Sequence, residues 1–179
     1  MCERSISCNL PQTEQDLIMD AIVITNYPLP PSENQIYRNV PGVGRVATKE
    51  LKDYRKSCEY YHLNNPQVFE TIKEFIVDRW KKADHFKVDY YFTFKRERLY
   101  TKDNRPKKLD VANRIKAVQD CFFHSLGMDD KHVFATSIEK IIGEQECVTI
   151  VMHPHTPISA IELLELFQQS QESPAVLLS

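Results

Sequence analysis

No stretch of the 179-residue chain approaches the roughly 20 consecutive apolar residues that a membrane-spanning helix needs. The first residues, Met1 to Cys8, carry neither a basic leader nor an apolar core, so no signal peptide is expected. The five cysteines (Cys2, Cys8, Cys58, Cys121, Cys147) are odd in number and scattered, and no CxxC pair occurs. That argues against both a disulfide framework and a zinc site, and the expectation is free, mostly buried thiols. Internal repeats and low-complexity segments are also absent. These absences point to an intracellular, cytoplasmic globular protein.

With 42% hydrophobic and 27% charged residues, the composition is that of a single domain with a real core. The net charge of −2 does not suggest nucleic acid, but its distribution does. Between Arg79 and Lys116 there are 13 Lys/Arg against 5 Asp/Glu, whereas the first twenty residues hold one Arg and four acids. From Pro154 onward there are three Glu and no Lys or Arg. A segregated basic segment suits an anionic polymer, because phosphate contacts supply most non-specific DNA affinity. A solvated charged face beside a strand is the plainer alternative.

Residues 1–20 read as an irregular leader, 21–153 as the main domain and 154–179 as a C-terminal helix with a frayed tail. Ala21 to Asn26 reads as a short buried strand. Three prolines in Pro28-Leu-Pro-Pro-Ser32 forbid helix and central strand. Pro41 to Arg45 reads as a second loop, whose two glycines lack the spacing of a phosphate cradle. Thr48 caps a helix running to about His62, and Asn65-Pro66 supplies N-cap and first residue of the next. That second helix shows a core stripe of Val68, Ile72, Phe75, Ile76 and Trp80.

Period-two alternation over Lys87 to Lys95 (Val88, Tyr90, Phe92, Phe94) marks a strand. A polar loop from Thr101 to Lys108 and a helix from Asp110 to Leu126 follow. Val133–Lys140 and Cys147–His153 read as an antiparallel hairpin turning near Gly143. Thr156-Pro157 is expected to cap a last amphipathic helix. The sum is an α/β (α+β) fold, a small mixed sheet with helices packed on it.

The chemistry concentrates in Asp110 to Asp120 and Asp129-Asp130. On the helix, Val111, Ile115, Val118 and Phe122 form an apolar stripe, and Asn113, Lys116, Asp120 and His124 line the opposite one. Asp110 is an N-cap candidate in its own right, and Lys116/Asp120 a candidate surface ion pair. Adjacent carboxylates at Asp129 and Asp130 repel each other, and a divalent cation relieves that repulsion. Oxygen-rich, sulfur-free sites suit Mg²⁺ or Mn²⁺, and phosphodiester cleavage uses such an ion to activate water. An Asp-Asp turn cap is the plain alternative. His153-Pro-His155 has no nearby third ligand.

In this order the chain resembles the RusA family of Holliday-junction resolvases. Pro30-Pro-Ser-Glu-Asn-Gln-Ile-Tyr-Arg38 resembles the family's PPSxNxxYR element. Asp110, Asn113, Lys116 and Asp120 match its DxDNxxKxxxD helix, and Gly127 followed by Asp129-Asp130 and Val133 resembles its closing element. The likeness covers residues 21 to 153. It implies a Mg²⁺- or Mn²⁺-dependent endonuclease on four-way DNA junctions, a two-fold homodimer, in the cytoplasm of a bacterial or phage-infected cell. It also implies Asp110, Lys116 and Asp130 as catalytic, Asp110, Asp129 and Asp130 as metal ligands, and Asn113 and Asp120 as supports. Lys95, Arg96, Arg98, Lys102, Arg105, Lys107 and Lys108, with Asn34, Tyr37 and Arg38, are the candidate DNA contacts.

One position departs: the family's second helix aspartate falls on Ala112. Either Asp120 or Asp129 compensates, or the protein binds junctions without cutting, or the alanine was introduced to trap the enzyme. A small protein-interaction domain is a third reading. From Asp110 to Leu126 a helix rises about 24 Å, and four further residues span at most roughly 14 Å. Asp110 and Asp130 of one chain are therefore not expected to share an ion. An antiparallel packing of two copies, with Asp110 of one near Asp130 of the other, would give two composite sites.

Overall fold

The computed structural model describes residues 21–32, 36–79 and 85–165; the leader, Asn34, Trp80 and the tail after 165 lie outside them. In chain order the elements are β1 (Ile22–Tyr27), β2 (Tyr37–Val40), β3 (Gly44–Ala47), α1 (Lys49–Asn64) and α2 (Pro66–Arg79). Then come β4 (Phe86–Phe94), the single turn α3 (Arg96–Leu99), α4 (Ala112–Leu126), a 3-10 turn (Asp130–His132), β5 (Val133–Ile142) and β6 (Cys147–Pro154). A four-stranded mixed sheet carries the helices on one face, the small α/β arrangement that the element pattern suggests.

The helices follow from local chemistry. Thr48, in extended conformation, accepts from the Leu51 N–H at 3.3 Å and caps α1. Leu51, Tyr54 and Cys58 face the core. Asn65 closes that helix, its side chain donating to the Tyr61 carbonyl at 2.8 Å, and Pro66 opens α2 with a fixed φ and no N–H to satisfy. The stripe of α2 holds at Ile72, which is buried, and at Ile76, which packs against the core, but at its start Phe69 is buried in place of Val68, which is 40% exposed. Phe69 wins because its ring meets His62, with centroids 4.4 Å apart, and reaches Tyr61 and Phe122.

In β4 the residues Phe86, Val88, Tyr90, Phe92 and Phe94 all point into the core, as period-two alternation predicts. The strand is central. Sheet order is β1-β6-β4-β5, with β5 parallel and β6 antiparallel to β4. The expected β5–β6 hairpin is therefore not formed, because β4 lies between the two strands. An aromatic strand buried on its helix side gains most with a neighbour on each edge, and residues 95–132 are long enough to supply the crossover that parallel pairing requires. The return passes over the end of β4 at Gly143, whose N–H donates to the Phe94 carbonyl at 3.0 Å. A Cβ there would sit 2.5 Å from Thr93 Cγ2, so the position needs glycine.

Three more expectations shift. β1 is buried on one face only, through Ile24 and Tyr27, because it is a sheet edge paired to β6 alone. Pro41 to Arg45 is not an isolated loop. It contains the turn of the β2–β3 hairpin, with Gly42 and Gly44 at φ +75° and +91°, where a side chain would be strained. The last helical segment, residues 160–165, is capped not by Thr156 but by Ser159 and Glu162. Ser159 Oγ accepts from the Glu162 N–H at 3.2 Å, and Glu162 accepts from the Ser159 N–H at 2.6 Å, a reciprocal capping box.

On the face away from the helices, Asp89 is 5% exposed. Its carboxylate accepts from Ser137 Oγ on β5, lies 3.0 Å from His153 Nε2 on β6 and 3.3 Å from Lys87 Nζ. Burial pushes the Asp89 carboxyl up, but the Ser137 and Lys87 bonds outweigh it and hold it below the usual range. His153, one of the histidines weighed for a metal, is engaged here.

Candidate active site

The helix that carries the candidate residues starts at Ala112, two residues later than expected, with Val111 at the cap position and no side-chain cap bond. Asp110 stands just outside. Its Oδ1 accepts from the Ala112 N–H at 3.0 Å and its Oδ2 from Asn113 Nδ2 at 2.8 Å. This local turn sets the carboxylate's direction while leaving Asp110 exposed. The Asn113 amide thus orients the acid.

The apolar stripe holds: Val111, Val118 and Phe122 are buried and Ile115 half-buried. The sequence reading missed Arg114. It is 4% exposed, donates from Nη1 to the Pro30 carbonyl and from Nε to the Asp110 carbonyl at 3.4 Å, and lies over the Phe94 ring at 5.8 Å. One guanidinium thus ties the proline-rich segment to the start of α4. Its place three residues after Val111 and four before Val118, on the border of the apolar stripe, is the signal that could have flagged it.

Along the exposed face of α4 lies a groove of about 700 Å³, lined among others by Arg55, Lys116, Asp120, His124, Asp129 and Asp130. A second groove of about 300 Å³ shares Arg55, Lys116 and Asp120 and adds Tyr37, Arg45 and Asn113. The structure therefore gathers Lys116, Asp120, Asp129 and Asp130 at one depression, with Asn113 and Tyr37 beside it. Asp110 lines neither groove. Lys116 Nζ lies 3.2 Å from Asp120, and that bond, with the charge of Asp130 farther off, raises the Lys116 pKa. Asp129 caps the 3-10 turn, accepting from the Lys131 N–H at 3.0 Å with Lys131 Nζ at 3.5 Å; this backbone bond and the lysine charge hold its carboxyl low. Asp130 is exposed. Arg55, from α1, and Arg45, whose guanidinium lies 4.2 Å over the Tyr37 ring, are cations that sequence patterning did not single out.

The basic segment is a folded arm. A Tyr100–Pro106 bridge and bonds from Lys107 N–H to the Leu99 carbonyl (2.7 Å) and from Thr101 N–H to the Arg105 carbonyl (2.9 Å) close it. Within it Arg98 pairs with Glu146 at 2.7 Å, Arg96 donates to Asn104 and Lys107 Nζ donates to the Glu97 carbonyl. Lys95, Lys102, Arg105 and Lys108 are exposed, as is Arg38 on β2. The arm leads directly into Asp110.

A divalent cation is the natural companion of such acids, yet the acids of one chain do not fit it. Among the described residues no group of three or more His, Cys, Asp or Glu is close enough to hold a metal ion. Asp120 is paired with Lys116, and Asp129 forms an exposed ion pair with Lys131.

Residues 28–153 match the family of RusA endodeoxyribonucleases. The chain belongs to the RusA family, and that membership supports a nuclease-type function in the broad sense. No curated protein matches the chain. No described helix is long and apolar enough to cross a membrane.

Proposed function

We propose that the protein is a structure-selective endonuclease that acts on four-way and other branched DNA, with a divalent ion, Mg²⁺ or Mn²⁺, bound only when two chains come together. The observation that carries this reading is the family match over the segment that contains both acidic elements. In it, Asp110 from one chain and Asp129 and Asp130 from the other would hold the ion. Asn113 would orient Asp110, and Asp120 would keep Lys116 charged and in place to meet negative charge at the phosphate. The exposed cations of the arm, with Tyr37 and Arg38, would hold the DNA backbone.

A second reading rests on Ala112, the exposed first residue of α4: the protein binds junctions and leaves them uncut. A labelled four-way junction and a linear duplex, incubated with and without Mg²⁺ or Mn²⁺, separate the two. Metal-dependent nicking abolished by Asp130→Asn supports the nuclease. A retarded but intact junction supports the binding protein, and neither outcome on a folded sample sinks both. Ala112→Asp is expected to raise cleavage by at least the ten-fold that one added carboxylate contact of about 1.4 kcal/mol supplies. No gain, with binding and folding intact, counts against the carboxylate account.

A further inference from the structure

Cys58 on α1 and Cys121 on α4 are both free thiols, the first buried and the second half-buried. The two helices pack against each other, and their turns match along the contact. Leu51 and Arg55 of α1 line the smaller groove together with Ala117 and Cys121 of α4. Farther along, His62 lines the larger groove together with Cys121 and His124. Cys58 lies three residues after Arg55 and four before His62, and Cys121 lies four after Ala117 and three before His124. Residues at those spacings share one helix face. The two thiols therefore meet where the helices touch, and they hydrogen-bond to each other there. We infer that Cys58 and Cys121 form a reversible disulfide, a peroxide-sensitive modification site that ties α1 to the helix carrying Lys116 and Asp120.

The third described thiol does not compete. Cys147 precedes Val148 in β6, and Val148 is fully buried on the helix side opposite Phe92. Successive strand residues face opposite sides of a sheet, so Cys147 lies across the sheet from α1 and α4.

The surroundings of the pair suit a two-electron oxidation. The bond from Cys121 lowers the Cys58 pKa against the opposing effect of burial, which favours the reactive thiolate. Cys121, half-buried at both grooves, gives a small oxidant a way in from solvent. Hydrogen peroxide is such an oxidant. The Cys58 thiolate attacks one peroxide oxygen, the O–O bond breaks, and the departing hydroxide takes a proton to become water. Cys58 is then a sulfenic acid. The Cys121 sulfur attacks the Cys58 sulfur, the S–O bond breaks, and the hydroxyl leaves as water with the Cys121 proton as the S–S bond forms. Two thiols are oxidised and one peroxide is reduced to two waters; a dithiol reductant reverses the bond. Asp120, which holds Lys116, is the residue next to Cys121. Closing the disulfide draws α4 toward α1 at the border of both grooves, and only the functional meaning of that movement rests on the nuclease reading.

Peptide mapping tests the bond without DNA or cleavage. The whole reduced protein is treated with a small molar excess of hydrogen peroxide, blocked with N-ethylmaleimide in urea and digested with trypsin under non-reducing conditions. Cys58 falls in the peptide 57–73 and Cys121 in the peptide 117–131, each with a single cysteine. A species joining these two peptides is expected to exceed any other cysteine pair by at least about ten-fold, because the fold holds the two sulfurs at high effective concentration. It should come from protein that runs as a single chain on a non-reducing gel, and dithiothreitol should abolish it. The same oxidation in urea should lose that preference. Cys121→Ser, which leaves the buried Cys58 in place, should remove the species and leave a sulfenic acid at Cys58 that dimedone labels. Thiols that stay free in the folded protein, a different dominant pair, an equal preference in urea, or no dimedone label at Cys58 overturn the assignment.

Discussion

Arg114 is the strongest single test of how the fold positions the site. Replacing it by methionine keeps a long side chain over the Phe94 ring while removing every donor. The Pro30 carbonyl, whose bond to Arg114 is buried, and the partly buried Asp110 carbonyl both lose their guanidinium partner. An orphaned buried acceptor costs about 1–3 kcal/mol. Against that, the variant no longer has to desolvate a cation, and replacing a buried ionic group by a well-packed apolar one is sometimes neutral or better. Burial does pull the Arg114 pKa down, with the nearby Arg98 charge adding to it, while Glu146 and Asp110 oppose the shift. With two carbonyls stranded, the loss is expected to dominate, at about 1–3 kcal/mol for Arg114→Met. Arg114→Ala adds a cavity and is expected to cost about 3–5 kcal/mol. Urea unfolding of the three proteins measures this, with an unchanged slope showing that the unfolded state is the same. If Arg114→Met proves as stable as wild type, the guanidinium clamp does not hold the proline-rich segment, and the account of that side of the site is wrong.

Two further perturbations read other parts of the fold. Gly143→Ala drives a methyl group against Thr93 Cγ2 and is expected to cost about 1–3 kcal/mol by overpacking; Thr93→Ser, which deletes that methyl, should recover most of it, and independent effects in the double-mutant cycle would refute the contact. His62, bonded to the Tyr27 hydroxyl at 3.1 Å, is pushed down to about 4 from 6.5 by burial and, secondarily, by His124. Between those values the unfolded chain binds the proton and the folded one does not, so stability is full above pH 6.5 and falls as pH drops toward 4. The loss is about 1–3 kcal/mol after allowing for solvent screening. His62→Gln should flatten this slope in urea titrations at pH 7 and 4.5, and an unaltered slope would show that another group titrates.

Local chemistry was readable from the residues, and long-range choice was not. The Thr48 cap, the Asn65-Pro66 boundary and the alternation of β4 depend on neighbours within a few positions, and each appears where the pattern puts it. The β5–β6 hairpin failed because alternation and a glycine turn say nothing about which edge the returning strand will take. The β2–β3 hairpin is not visible in the Pro41–Arg45 loop pattern, because spacing alone does not show that Gly42 and Gly44 take the positive φ that makes the turn. At the site, the helix stripe correctly set Asn113, Lys116 and Asp120 on the exposed face and the core residues on the other. That Asp129 and Asp130 lie at the same groove as Lys116 depends on how the chain turns after Gly127, and that Arg55 and Arg45 join them depends on α1 and the hairpin docking nearby. No spacing in the chain encodes those.

The polar cluster around Asp89 has a consequence for folding fidelity. Its donors come from all three adjacent strands, so the carboxylate is satisfied only when β5, β4 and β6 are assembled in one alignment. A slip of β4 by a single residue would turn Asp89 into the apolar layer beneath the helices, stranding a charge at a cost of several kcal/mol. Apolar alternation already disfavours a one-residue slip, but it leaves slips of two residues, which keep every side chain on its face, closer in energy. One acid on the wet side of the sheet removes that degeneracy, serving as a checksum on strand order.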